Sequence, residues 1–90
     1  MLDVVIMNKF KKDYKTCQKR GYDMQKINAI MSDLINEIPL PLKNREHQLL
    51  GNYKGDLECH IEPDWLLIYT IDLEDKKIYF NRTGTHSDLF

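Results

Sequence analysis

Ninety residues, 13 of them Lys or Arg and 14 Asp or Glu, carry a net charge of −1. A chain of this length supports one modest core, burying about 60–65% of its unfolded surface, and its charge balance excludes a polyanion binder held by bulk charge alone. No run approaches the ~20 apolar residues of a membrane helix, and two cysteines without CxxC spacing, Cys17 and Cys59, exclude a disulfide scaffold. The expectation is one domain over residues 1–90, without a signal segment, reduced and cytoplasmic. Its charges segregate: seven basic residues against two acids from Lys9 to Lys26, then seven acids and no Lys or Arg from Asp56 to Asp75. That asymmetry raises the expectation of a basic helical surface for nucleic acid.

Leu2 to Met7 is short, apolar and β-branched, so it reads as a first strand. Asn8 is placed to cap the helix that follows. In that helix Phe10, Tyr14 and Cys17 form a narrow apolar stripe among Lys9, Lys11, Lys12, Lys15 and Lys19, and Gly21 ends it. Asp23 reads as the cap of a second helix, with Met24, Ile27, Met31, Leu34 and Ile38 at helical spacing, stopped by Pro39 and Pro41. Lys43 to Glu46 reads as a polar loop. Leu57, Cys59 and Ile61 alternate with Glu58 and His60, so one strand puts a carboxylate and an imidazole together on the face away from the core. Glu62-Pro63-Asp64 turns the chain into a strand from Trp65 to about Ile71. A turn at Asp72 to Lys76 leads to a last strand, Lys77 to Arg82, broken by Gly84. The order is β-α-α-β-β-β: an α+β fold with a small antiparallel sheet packed against an N-terminal helical hairpin.

His47 in HQLLG, then YKG at 53–55, Glu58-Cys59-His60, EPDWLLIY at 62–69 and RTGTHSDLF at 82–90 together resemble the YafQ-like branch of the RelE superfamily. Its members are ribonuclease toxins of bacterial type II toxin–antitoxin modules. The resemblance implies a RelE-like fold and ribosome-dependent cutting of messenger RNA in the A site, with no metal or other cofactor. The RNA's own 2′-hydroxyl would attack the phosphorus. That reaction needs a base for the hydroxyl proton, an acid for the leaving 5′-oxygen, and donors at the phosphate; histidine serves either proton role near neutral pH.

Carried onto this chain, the resemblance makes His86 the general acid and Arg82 the phosphate ligand, since guanidinium matches phosphate oxygens in pairs. Glu58, His60 and His47 include the base or the group that orients it, and Asp64 falls on a position tied to activity. Phe90 would stack on a message base. Lys9, Lys12, Lys15 and Lys19 would hold ribosomal RNA by its phosphates. Leu57-Glu58-Cys59-His60 departs from the family's frequent Arg-Asp-x-His, which removes one cation and lengthens the acid by a methylene. The implied partners are a cognate antitoxin, the message and the ribosome, with operator DNA reached only through the antitoxin and no membrane. Two other readings stand beside it. A zinc site is disfavoured because the intervals from His47 to His60 to His86 match no compact ligand motif. A non-cleaving binding module of the same fold, directed at ribosome, gyrase or antitoxin, would not need the His, Glu and Arg set.

Overall fold

Local chemistry sets each element of the computed structural model, which describes residues 1–51 and 55–90. Strand β1 (Asp3–Ile6) feeds directly into helix α1 (Asn8–Lys19). Asn8 is not its cap: Met7 holds that position in extended backbone and makes no side-chain cap bond. The Met7 amide still donates to Phe80 O at 3.1 Å, so the ladder of β1 runs up to the helix and leaves no room for a capping turn. At the other end Gly21 takes φ +81, with Gly21 N donating to Gln18 O and Tyr22 N to Cys17 O, the paired closure that a left-handed residue permits.

Helix α2 (Met24–Ile35) opens as expected, with the Asp23 carboxylate accepting from Gln25 N at 3.1 Å. It ends before the prolines. Glu37 adopts φ 60, and Glu37 N and Ile38 N donate back to Leu34 O and Asp33 O. This closure stops the helix ahead of Pro39 and turns Ile38, expected in the apolar stripe, out to 51% exposure.

A single 3₁₀ turn at Leu42–Asn44 follows, and then a strand that hydropathy did not signal, β2 (His47–Gln48). Strands β3 (Leu57–Glu62), β4 (Trp65–Asp72) and β5 (Lys77–Gly84) match the expected hairpins, with β5 running two residues past Arg82. The tail is not loose: His86–Leu89 forms a one-turn helix, α3. Tyr53 and Lys54 of the YKG motif lie outside the described residues.

The sheet order is β1-β5-β4-β3-β2. Every pairing is antiparallel except that of β1, which lies parallel to β5. Helices α1 and α2 cover one face, where Phe10, Cys17, Ile27 and Leu34 pack with Cys59, Leu67, Tyr69, Ile78 and Phe80. The other face is partly closed as well. Leu66 and Ile68 are fully buried there with Leu89 of α3, and Leu49 packs against them. Strand β4 is thus apolar on both faces, which accounts for the unbroken run from Trp65 to Tyr69. Register slips by one residue between β4 and β5, where Ile68 faces Arg82 but Tyr69 faces Phe80.

Candidate acid–base site

Glu58 sits on β3, opposite His47 of β2 and two residues before His60. The β2–β3 ladder and the period-two alternation of β3 therefore place all three on the face away from the helices. Glu58 is only 4% exposed. Its Oε1 lies 3.3 Å from His47 Nε2 and 3.4 Å from His60 Nε2. The far nitrogens are held by backbone: His47 Nδ1 is 2.7 Å from Arg45 O, and His60 Nδ1 is 3.3 Å from Pro63 O. Arg45 presents its carbonyl from a left-handed backbone (φ 51) that ends the 3₁₀ turn.

His86 completes the row, its ring centroid 5.8 Å from that of His60. Its position follows from the start of α3. Thr85 accepts from Asp88 N while Asp88 accepts from Thr85 N, a reciprocal capping box. Arg20 at the end of α1 then donates twice to the same Asp88 carboxylate, at 2.6 and 3.0 Å. Asp64, from the β3–β4 turn, accepts both the His86 amide at 2.9 Å and the Nδ1 hydrogen at 2.6 Å. A carboxylate can only accept, so His86 carries its ring hydrogen on Nδ1 and leaves Nε2 for proton exchange.

Asp64 and Asp88 both stand below the usual carboxylate range, Asp64 first through the His86 amide and Asp88 first through Arg20. Each folded value is depressed, so each contributes stability that is complete above the ordinary carboxylate value of about 3.9 and is lost as pH falls through the folded one. Acidification from about pH 5 toward pH 2 is thus expected to release α3 and free His86, visible as loss of amide protection at Leu89 by NMR. Gly84 is a second weak point. Its φ is +154, and a Cβ there would lie 2.8 Å from Asp88 Oδ2 and 3.0 Å from Asp88 Cβ. Gly84→Ala is expected to displace Asp88, cost about 1–3 kcal/mol, and reduce activity without touching a reacting group; a melting curve beside the activity assay checks both.

The remaining sequence-predicted residues lie apart. Arg82 faces Ile68, which faces Glu58, so it stands two strands from the carboxylate, about 10 Å away across the sheet. Its Nε donates to Asp13 Oδ2 at 2.6 Å and its Nη2 to Asp13 Oδ1 at 3.2 Å. Asp13 also accepts Thr83 N, closing the edge of β5 where β1 has ended. This residue was missed, although it is the lone acid among the lysines of α1. Lys9 lines a surface hollow of about 410 Å³ with Met7, Asn8, Asn81 and Arg82. Lys12, Lys15 and Lys19 are exposed on α1, and Phe90 is 64% exposed beside α3. Cys59 stays out of the chemistry, because burial above all pushes its thiol up to about 12.

Fold and site define a small α+β protein with a histidine-lined acid–base surface on the sheet face opposite its two long helices. The chain belongs to the YafQ family: the family described as "Bacterial toxin of type II toxin-antitoxin system, YafQ" matches residues 2–90. It is 46% identical to the mRNA interferase toxin YafQ of Escherichia coli K12, over 98% of this chain and 95% of that protein. Among solved structures, the toxin of the E. coli DinJ–YafQ complex superposes with a TM-score of 0.91 at 44% identity, covering 100% of this chain and 99% of that one. A metal-bound toxin from Helicobacter pylori superposes at 0.93 with 38% identity, covering both chains completely.

Proposed function

We propose that this toxin is an endoribonuclease that cuts messenger RNA on the ribosome, using the 2′-hydroxyl as nucleophile. The observation that carries the reading is the convergence of His47, Glu58, His60 and His86, with Asp64 behind His86, on one sheet face. The relative named as an mRNA interferase supports the substrate class. His86 is the general acid, giving its proton to the departing 5′-oxygen as the phosphorus–oxygen bond breaks. Asp64 positions it by fixing the Nδ1 tautomer. Glu58, flanked by His47 and His60, forms the base side that takes the 2′-hydroxyl proton. Arg82, held at a fixed angle by Asp13, and Lys9 beside it offer cationic donors to message phosphates, and Phe90 offers a ring for a base. Lys12, Lys15 and Lys19 meet ribosomal RNA or, in the resting complex, acidic segments of a cognate antitoxin. DinJ occupies the antitoxin's place in the E. coli complex. Operator DNA would be met through that antitoxin.

A purified translation system tests the reading by primer extension on the message. Cuts that need ribosomes and survive a chelator are expected. Arrest of translation with an intact message would favour a binding module and sink the nuclease.

A further inference from the structure

His47 and His60 share an arrangement that proton transfer alone does not require. Each Nδ1 faces a backbone carbonyl, at 2.7 Å from Arg45 O and 3.3 Å from Pro63 O. A carbonyl oxygen only accepts, so each Nδ1 carries a hydrogen, and in the neutral form of each ring the lone pair is then on Nε2, turned the other way. Both lone pairs converge on Glu58 Oε1, at 3.3 and 3.4 Å. Donor atoms of the three residues all lie within 4.8 Å of one another. Glu58 is 4% exposed, so solvent does little to screen three electron-rich atoms facing each other.

A cation relieves that arrangement, and the spacing suits a particular kind. Tetrahedral coordination with bonds of about 2.0–2.1 Å sets neighbouring ligand atoms about 3.3–3.4 Å apart. Two of the three edges here already have that length. Backbone carbonyls on the far nitrogens are the support that metal-bound imidazoles ordinarily have, fixing ring angle and tautomer. Twelve residues between His47 and His60 hid the group in the sequence; pairing of β2 with β3 closes it. Two imidazoles and one carboxylate favour Zn2+ or Cu2+ over Mg2+ or Ca2+, so the magnesium of a translating ribosome leaves the group alone.

We propose that His47, Glu58 and His60 form a site for a divalent transition-metal cation, and that occupancy of this site switches cleavage off. A bound cation takes the lone pairs and the carboxylate on which the base side of the reaction depends. The binding half stands on geometry; the switching half rests on the ribonuclease reading above.

The test uses Zn2+ as probe. Calorimetric titration into the whole protein is expected to give one ion per chain, bound at least tenfold more weakly by His47→Ala and by Glu58→Gln. His86→Ala is expected to bind as the wild type does, because its ring is not among the three groups whose donor atoms converge. Absorption of the Co2+ form reports coordination in each variant, and circular dichroism confirms that each is folded. Undiminished binding by folded His47→Ala and Glu58→Gln would overturn the site. For the switch, toxin loaded with Zn2+ and freed of excess ion is added to the translation system. Cleavage at least tenfold below that of the metal-free toxin, restored by a chelator, is expected. Equal cleavage by loaded and metal-free toxin would overturn the switch. Cleavage by neither form, with Zn2+ binding intact, would instead overturn the ribonuclease reading and leave the metal site standing.

Discussion

His86→Ala is expected to lower message cleavage by about 10²- to 10⁴-fold, the usual contribution of a positioned proton donor. The protein should remain folded, because the capping box and the Arg20–Asp88 pair that start α3 do not involve the ring. The His86 side chain is 54% exposed, so little packing goes with it. Asp64→Asn makes a graded companion. It keeps an oxygen for the His86 amide but removes the charge behind Nδ1, so a smaller loss is expected together with a shifted pH–rate profile. Cut-site mapping at equal toxin concentration reads both. Full-rate cleavage by folded His86→Ala would remove it from the machinery.

Phe80→Ala carries the largest expected structural effect. The Phe80 ring is fully buried, 5.8 Å by centroid from Phe10 of α1, and its carbonyl accepts the Met7 amide that joins β1 to the helix. Truncating such a ring costs about 3–5 kcal/mol. The whole domain is worth roughly 5–13 kcal/mol at ordinary stability per residue. A large drop in the urea midpoint is therefore expected, with loss of activity following loss of fold. A loss under 1 kcal/mol would mean that the helices do not seal this face as described.

Much of the fold was legible because its signals are local. Alternation in Leu57–Ile61, the caps at Asp23 and Gly21, and the Pro63-Asp64 turn each act over a few residues. What escaped depends on distant partners. Strand β2 is two residues long and exists only because His47 and Gln48 meet Glu58 and Leu57. The parallel placement of β1 has no local signature, and α3 depends on Arg20, 68 residues away in sequence from Asp88. The same limit applied to the site. Period two put Glu58 and His60 on one face, but periodicity carried nothing about His47 joining them, and the pairing of Arg82 with Asp13 rather than with an acid of the sheet is a tertiary event. Burial of Glu58 was unexpected too, since a carboxylate on the outer face of a strand is ordinarily solvated.

In the proposed reaction imidazoles and a carboxylate move the protons and the RNA supplies its own nucleophile. The most direct test is a message carrying one 2′-deoxynucleotide immediately 5′ of a mapped cut, translated in the purified system with toxin and chelator present. That position is expected to stay intact while neighbouring sites are cut, and the other fragments should end in 2′,3′-cyclic or 3′-phosphate. Cleavage at the deoxy position, or fragments with 3′-hydroxyl and 5′-phosphate ends, would mean that water attacks the phosphorus and that the sheet face works by different chemistry.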